Sequence, residues 1–121
     1  MKLLIYHMDE SKRKMVTTVC RILKVSIREI TPAETGETLG ALAGLPGYSL
    51  SGQSAAAVPD QEVMVLCRFR QKQLDAFLAK LRAMGVPQTG IKAILTDANK
   101  DWSFARLLNE LLAEHAQFSQ K

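Results

Sequence analysis

The run Glu62-Val-Met-Val-Leu-Cys-Arg-Phe constrains this chain more than any other feature. Its apolar centre is continuous rather than alternating, so no face is left for water. A strand of that kind is buried on both sides, as in a parallel sheet covered by helices. Three more segments read as strands. Residues 2–8 are aliphatic and β-branched, residues 26–30 are weaker and end at Thr31-Pro32, and residues 91–96 follow Gly85 and Pro87.

Helical patterns separate these strands. Met15, Val16, Val19, Ile22 and Leu23 share one face after an N-cap at Asp9 or Ser11. Lys12, Arg13 and Lys14 then fall on the solvated side. Leu74, Phe77, Leu78 and Leu81 mark a helix over residues 71–84, capped by Gly85 and stopped by Pro87. Ser103 starts the last helix, with Trp102 and Leu107 as its hydrophobic staple, and Leu108, Leu111, Leu112, His115 and Phe118 extend its apolar face. Residues 35–43 form a short helix in which Gly36, Gly40 and Gly44 line one side.

Strands alternating with helices predict an α/β domain: a small three-layer unit with a four-stranded, mainly parallel sheet in the order 2-1-3-4 and flanking helices. A ferredoxin-like α+β sheet is the alternative. The 121 residues fit a single domain. Within it, residues 1–47 are a βαβ unit plus a short helix, 48–61 a flexible loop rich in Ser, Gly, Ala and Gln, and 62–118 a βαβα unit. The tail from Ser119 frays.

Composition excludes several function classes. No apolar run approaches the roughly 20 residues of a membrane span, and the apolar start is too soon interrupted by Asp9, Glu10 and Lys12 to be a leader. The expectation is a cytoplasmic protein with no membrane partner. The net charge of +4 is dispersed, and the few aromatics fall on helical apolar stripes, so a nucleic-acid partner is disfavoured. Cys20 and Cys67 lie far apart in apolar segments and read as packed thiols, not a metal site or disulfide framework. The glycines fit neither phosphate-binding nor dinucleotide-binding fingerprints. No cofactor, metal site or catalytic constellation is expected.

Residues 62–115 nevertheless carry a specific pattern. Glu62-Val-Met-Val-Leu-Cys, Gln73-Leu-Asp-Ala-Phe-Leu and Lys92-Ala-Ile-Leu-Thr96, followed by Asn99 and Trp102-Ser-Phe104, mix polar and aromatic residues at fixed spacing. On these motifs the segment resembles an uncharacterised family of small bacterial and archaeal proteins, the domain of unknown function numbered 3783. The resemblance implies no activity, cofactor or partner. Lys92, Thr96, Asn99 and Trp102 are its motif residues. Thr96 suits a strand end, Asn99 a turn and Trp102 the staple, while Lys92 has no such account.

A ligand site in a parallel sheet lies beyond the carboxyl ends of its strands. That rule gathers His7, Asp9, Arg68, Arg70, Asp97 and Asn99 on one edge. Arg68 and Arg70 beside a helix start would favour a small anion or nucleotide, with His7 able to titrate near neutrality. A response-regulator-like phosphoacceptor is excluded, because the third strand ends in arginine where an aspartate is needed. The ordinary alternative is that both arginines are simply solvated. The leading expectation is a non-catalytic interaction or regulatory module, which self-associates through the glycine-lined side or the last helix. A small-anion binder or minor enzyme, and a weak nucleic-acid binder, are the alternatives.

Overall fold

The computed structural model describes residues 1–52 and 55–119. The side chains of residues 115–119, including His115 and Phe118, and the end of the tail lie outside the described residues. Two compact units interleave along the chain: Met1–Glu29 with Gln61–Ile94, and Ile30–Asp60 with Leu95–Lys121.

The first unit holds the whole sheet. Its strands are β1 (Lys2–Tyr6), β2 (Ser26–Glu29), β3 (Val63–Cys67) and β4 (Ile91–Ile94), in the order β2-β1-β3-β4. The order is the one expected; the directions are mixed. β1 is parallel to β2 and β3 is parallel to β4, but β1 and β3 are antiparallel, with Lys2 opposite Cys67, Leu4 opposite Val65 and Tyr6 opposite Val63. The reason lies in the long connection. The chain leaves the sheet after Glu29, beside Ile5, and re-enters at Val63, beside Tyr6. Leaving and re-entering at one edge reverses the strand direction. Helix crossovers fix the direction only inside each βαβ pair.

Both β1 and β3 are buried on both faces, as their continuous apolar runs require. Leu3, Ile5, Met64 and Leu66 pack with Val16, Val19 and Cys20 of α1 (Glu10–Ile22) and with Phe77 and Leu81 of α3 (Gln71–Ala83). Leu4, Tyr6, Val63, Val65, Cys67, Ile91 and Ala93 are buried on the opposite face. Each central strand stops one residue before a left-handed backbone: His7 at φ 52° and Arg68 at φ 63°. That turn is why both strands end earlier than periodicity implies. Asp9 caps α1 by accepting from the Lys12 amide at 3.0 Å.

The second unit contains a 3-10 turn (Pro32–Glu34), α2 (Leu39–Ala43) and α4 (Phe104–Ser119). α2 is shorter than the helix expected over residues 35–43, because Thr38 is extended and caps it, accepting from the Ala41 amide at 3.2 Å. Gly36 therefore lies outside the helix, and Gly44 is its left-handed cap at φ 73°. Gly40 faces the Tyr48 ring of the same unit: a Cβ there would sit 2.5 Å from a ring carbon. Thr38 and Ser103 form an antiparallel bridge. Leu39 N–H donates to the Trp102 carbonyl and Phe104 N–H to the Glu37 carbonyl, both at 2.9 Å, while Gly40 and Ala105 donate to Lys100 and Thr35.

Lys24 ends the turn after α1 at φ 59°, where Gly85 ends the turn after α3 at φ 72°. A side chain in that conformation costs roughly 1 kcal/mol that glycine avoids. Lys24→Gly is therefore expected to stabilise the protein by about 0.5–1 kcal/mol, read as a higher urea midpoint, and Gly85→Lys to destabilise it by a similar amount.

Candidate functional site

The antiparallel β1–β3 pair decides the fate of the expected site. Because Tyr6 stands opposite Val63 and Lys2 opposite Cys67, His7 and Asp9 leave one edge of the sheet while Arg68 and Arg70 leave the other. The single edge expected from a parallel sheet does not form around these four residues. His7, Asp9, Arg68 and Arg70 are all exposed. Asp9 is engaged as the helix cap. The Arg70 amide donates to Gln73 Oε1 at 2.9 Å, half of a capping box, since an arginine side chain has no acceptor to complete it.

Asp97 and Asn99 belong to the second unit, and each has a local partner there. Asp97 Oδ1 lies 3.6 Å from Lys100 Nζ. Asn99 Oδ1 accepts from the Thr96 amide at 2.8 Å and the Asn99 amide donates to Thr96 Oγ1 at 3.2 Å, a reciprocal capping box. This pair explains Thr96 and Asn99 as turn chemistry. Trp102 is half-buried, with the Arg106 guanidinium 4.1 Å from its ring centroid. Ser103 accepts from the Arg106 amide at 3.1 Å, as an N-cap should. Lys92 is exposed and donates to Gln88 Oε1 at 3.3 Å.

The polar groups that the structure does bury were not singled out by the sequence. Lys12, expected on the solvated side of α1, is only 4% exposed. Its ammonium donates to Glu62 Oε2 at 2.5 Å, to the Thr89 carbonyl at 2.8 Å and to Thr89 Oγ1 at 3.3 Å. Three acceptors use all three N–H donors, which is how a lysine tolerates burial. Gly90 leaves room for the Glu62 carboxylate, which a Cβ there would strike. Only the tertiary approach of the segments before β3 and β4 supplies these partners, so the residues around Lys12 in the chain gave no signal.

Glu37 is a second buried charged residue. It accepts from the Ser51 amide at 2.7 Å, Ser51 Oγ at 3.0 Å and the Gly52 amide at 3.0 Å. These donors, the Ser51 amide first, hold its carboxyl below the ordinary glutamate value. Thr35 Oγ1 donates to the Ala56 carbonyl and accepts from the Ala56 amide, each at 2.9 Å. The described part of the expected flexible loop is thus tied to the chain at Glu37 and Thr35, while Gln53 and Ser54 lie outside the described residues. Tyr48 donates its hydroxyl to Asp101, and that bond pushes the phenol above its usual range.

Both cysteines are free and buried, and burial pushes each thiol up to about 11. A thiol so shifted has almost no thiolate at neutral pH and is a poor nucleophile. Among the described residues no cluster of three or more His, Cys, Asp and Glu side chains could hold a metal ion, and no helix is long and apolar enough to cross a membrane.

The motif residues thus sit in β3, α3, β4 and the turn that opens α4. Residues 62–118 match the model of a domain of unknown function, DUF3783. Comparison with curated proteins and with solved structures finds no match. The DUF3783 segment supplies β3, α3, β4 and most of α4, and the β1–β3 ladder and the bonds that Leu39, Gly40, Phe104 and Ala105 make around the Thr38–Ser103 bridge join it to residues outside the match.

Removing the Lys12 ammonium leaves a partly buried carboxylate without its ion-pair partner. Lys12→Met is expected to cost about 2 kcal/mol in chemical denaturation, within the range for an orphaned buried polar group, and adding Glu62→Gln is expected to restore part of the loss. For Glu37, a folded value below the unfolded 4.5 means its stabilisation is present above that value and is lost as pH falls through the lower, folded one. Glu37→Gln should therefore flatten the acid limb of the stability curve, read as urea midpoints on either side of that pH.

Proposed function

We propose that this protein is a non-catalytic interaction or regulatory module that works in the cytoplasm. One observation carries the interaction reading. The DUF3783 segment makes its main-chain contacts through a two-fold set: the β1–β3 ladder and the reciprocal hydrogen bonds around Thr38 and Ser103. A two-fold set of contacts is self-complementary, the property by which like surfaces pair, and here it is satisfied within one chain. The polar residues nominated for a ligand support the same reading, since Asp9, Asp97 and Asn99 each serve a cap, an ion pair or a turn. Two free buried thiols suit a reducing compartment.

A thermal-shift screen against phosphate-bearing metabolites tests this reading against small-anion or nucleotide binding. A ligand at 100 times its dissociation constant adds about 2.7 kcal/mol, worth on the order of 10 °C in a domain of this size. No such rise is expected. A reproducible rise of that size, abolished by Arg68→Ala with Arg70→Ala, would make the protein a ligand binder instead.

A further inference from the structure

We infer that the chain is two copies of one self-complementary unit, the first in residues 1–43 and the second beginning at residue 62, and that the partner this surface fits is another copy of the unit. The inference deepens the interaction reading by naming the partner.

The correspondence runs position by position. In the first unit of structure the spacing is 61. It relates β1 to β3, left-handed His7 to Arg68, cap Asp9 to Arg70, α1 to α3 (13 residues each), left-handed Lys24 to Gly85, and buried Val25 to Val86. The loop before β4 is four residues longer than that before β2, and the spacing becomes 65 from there on. It then relates β2 to β4, the Thr31–Glu34 turn to the Thr96–Asn99 turn, and the helix caps Thr38 and Ser103. The Thr31 amide donates to Glu34 Oε1 as the Thr96 amide does to Asn99 Oδ1.

The contacts between copies obey the same exchange. Exchanging the copies turns the pair Lys2–Cys67 into Val63–Tyr6, which is also present. It turns the Leu39-to-Trp102 bond into Phe104-to-Glu37, and Gly40-to-Lys100 into Ala105-to-Thr35. Thr38–Ser103 maps onto itself. Residue i meets j wherever j meets i, which defines an isologous surface.

The copies differ where they most need to be told apart. Lys12 corresponds to Gln73, and Glu62 to Met1. At one end of the sheet Lys12 and Glu62 close the site as an ion pair. At the other, the equivalent place is an apolar cleft of about 130 Å³ lined by Met1, Leu23, Val25, Gln73, Ala76 and Phe77. Two first copies paired together would set each Lys12 ammonium against Met1, burying a charge without its carboxylate. Two second copies would set Gln73 beside Glu62, an ordinary hydrogen-bonding pair. The ion pair therefore selects the mixed pairing and penalises first-with-first, while second-with-second stays open.

Two full-length variants test this by light scattering. Leu4→Asp disables the central strand of the first copy and Val65→Asp that of the second; both side chains are fully buried. The Leu4→Asp chain is expected to reach twice the 13.4 kDa of one chain by pairing two second copies, and to dissociate on dilution. The Val65→Asp chain, left with first copies only, is expected to stay at the monomer mass, as is the double variant. A Leu4→Asp chain that remains monomeric, or that associates equally well with Val65→Asp added, overturns the inference. Should Leu4→Asp precipitate, its equimolar mixture with Val65→Asp decides: a soluble one-to-one complex with a cooperative thermal transition supports complementary copies, and its absence refutes them. A metabolite found by thermal shift would leave these masses unchanged, so the two readings fail separately.

Discussion

The antiparallel pairing of β1 with β3 is the constraint on which the rest of the sheet depends. Leu4 and Val65 face each other at its centre, both fully buried, and the two edge strands attach only through these central ones. Its direction separates the N-terminal ends of α1 and α3 to opposite edges. It also places the segment before β3 next to α1, which is what lets Glu62 reach Lys12. A parallel pairing would have put Glu62 at the other end of the sheet and left Lys12 without a carboxylate.

The polar architecture follows from burial. Lys12 and Glu37 are each enclosed with three hydrogen bonds from groups distant in the chain or across a loop. Among the described residues no buried side-chain nitrogen or oxygen lacks a partner. Such fully satisfied groups fix geometry more than they add net stability. In this protein Lys12 and Glu62 join the two halves and Glu37 fastens the connector between them. The exposed charges at the strand ends, by contrast, are dispersed, and they serve caps and turns where they have partners.

The repeat was hidden in the sequence because little side-chain identity survives. Thr31 and Thr96, Ala33 and Ala98, and Leu42 and Leu107 agree, while Asp9 and Arg70, Lys12 and Gln73, and Lys24 and Gly85 do not. What persists is backbone: a left-handed residue after each central strand, another after each helix, and a capped turn after each edge strand. A cap needs only some acceptor at the right place, and a left-handed residue tolerates lysine or arginine at a modest cost. Equivalent conformations can therefore be reached by unlike residues.

The sequence by itself determined the elements and their neighbours. Apolar continuity in residues 63–67 required burial on both faces, helical periodicity placed α1 and α3, and a helical crossover within each half made β1 a neighbour of β2 and β3 a neighbour of β4. Those are local or nearest-neighbour properties, written in hydrophobic spacing. The tertiary structure alone decided the direction of β3 relative to β1, the burial of Lys12, and the dispersal of His7, Asp9, Arg68 and Arg70 to two edges. Each of these depends on where a 33-residue connection, residues 30–62, returns the chain. Spacing of apolar residues carries no record of that return, because a strand buried on both faces satisfies its pattern equally well in either direction.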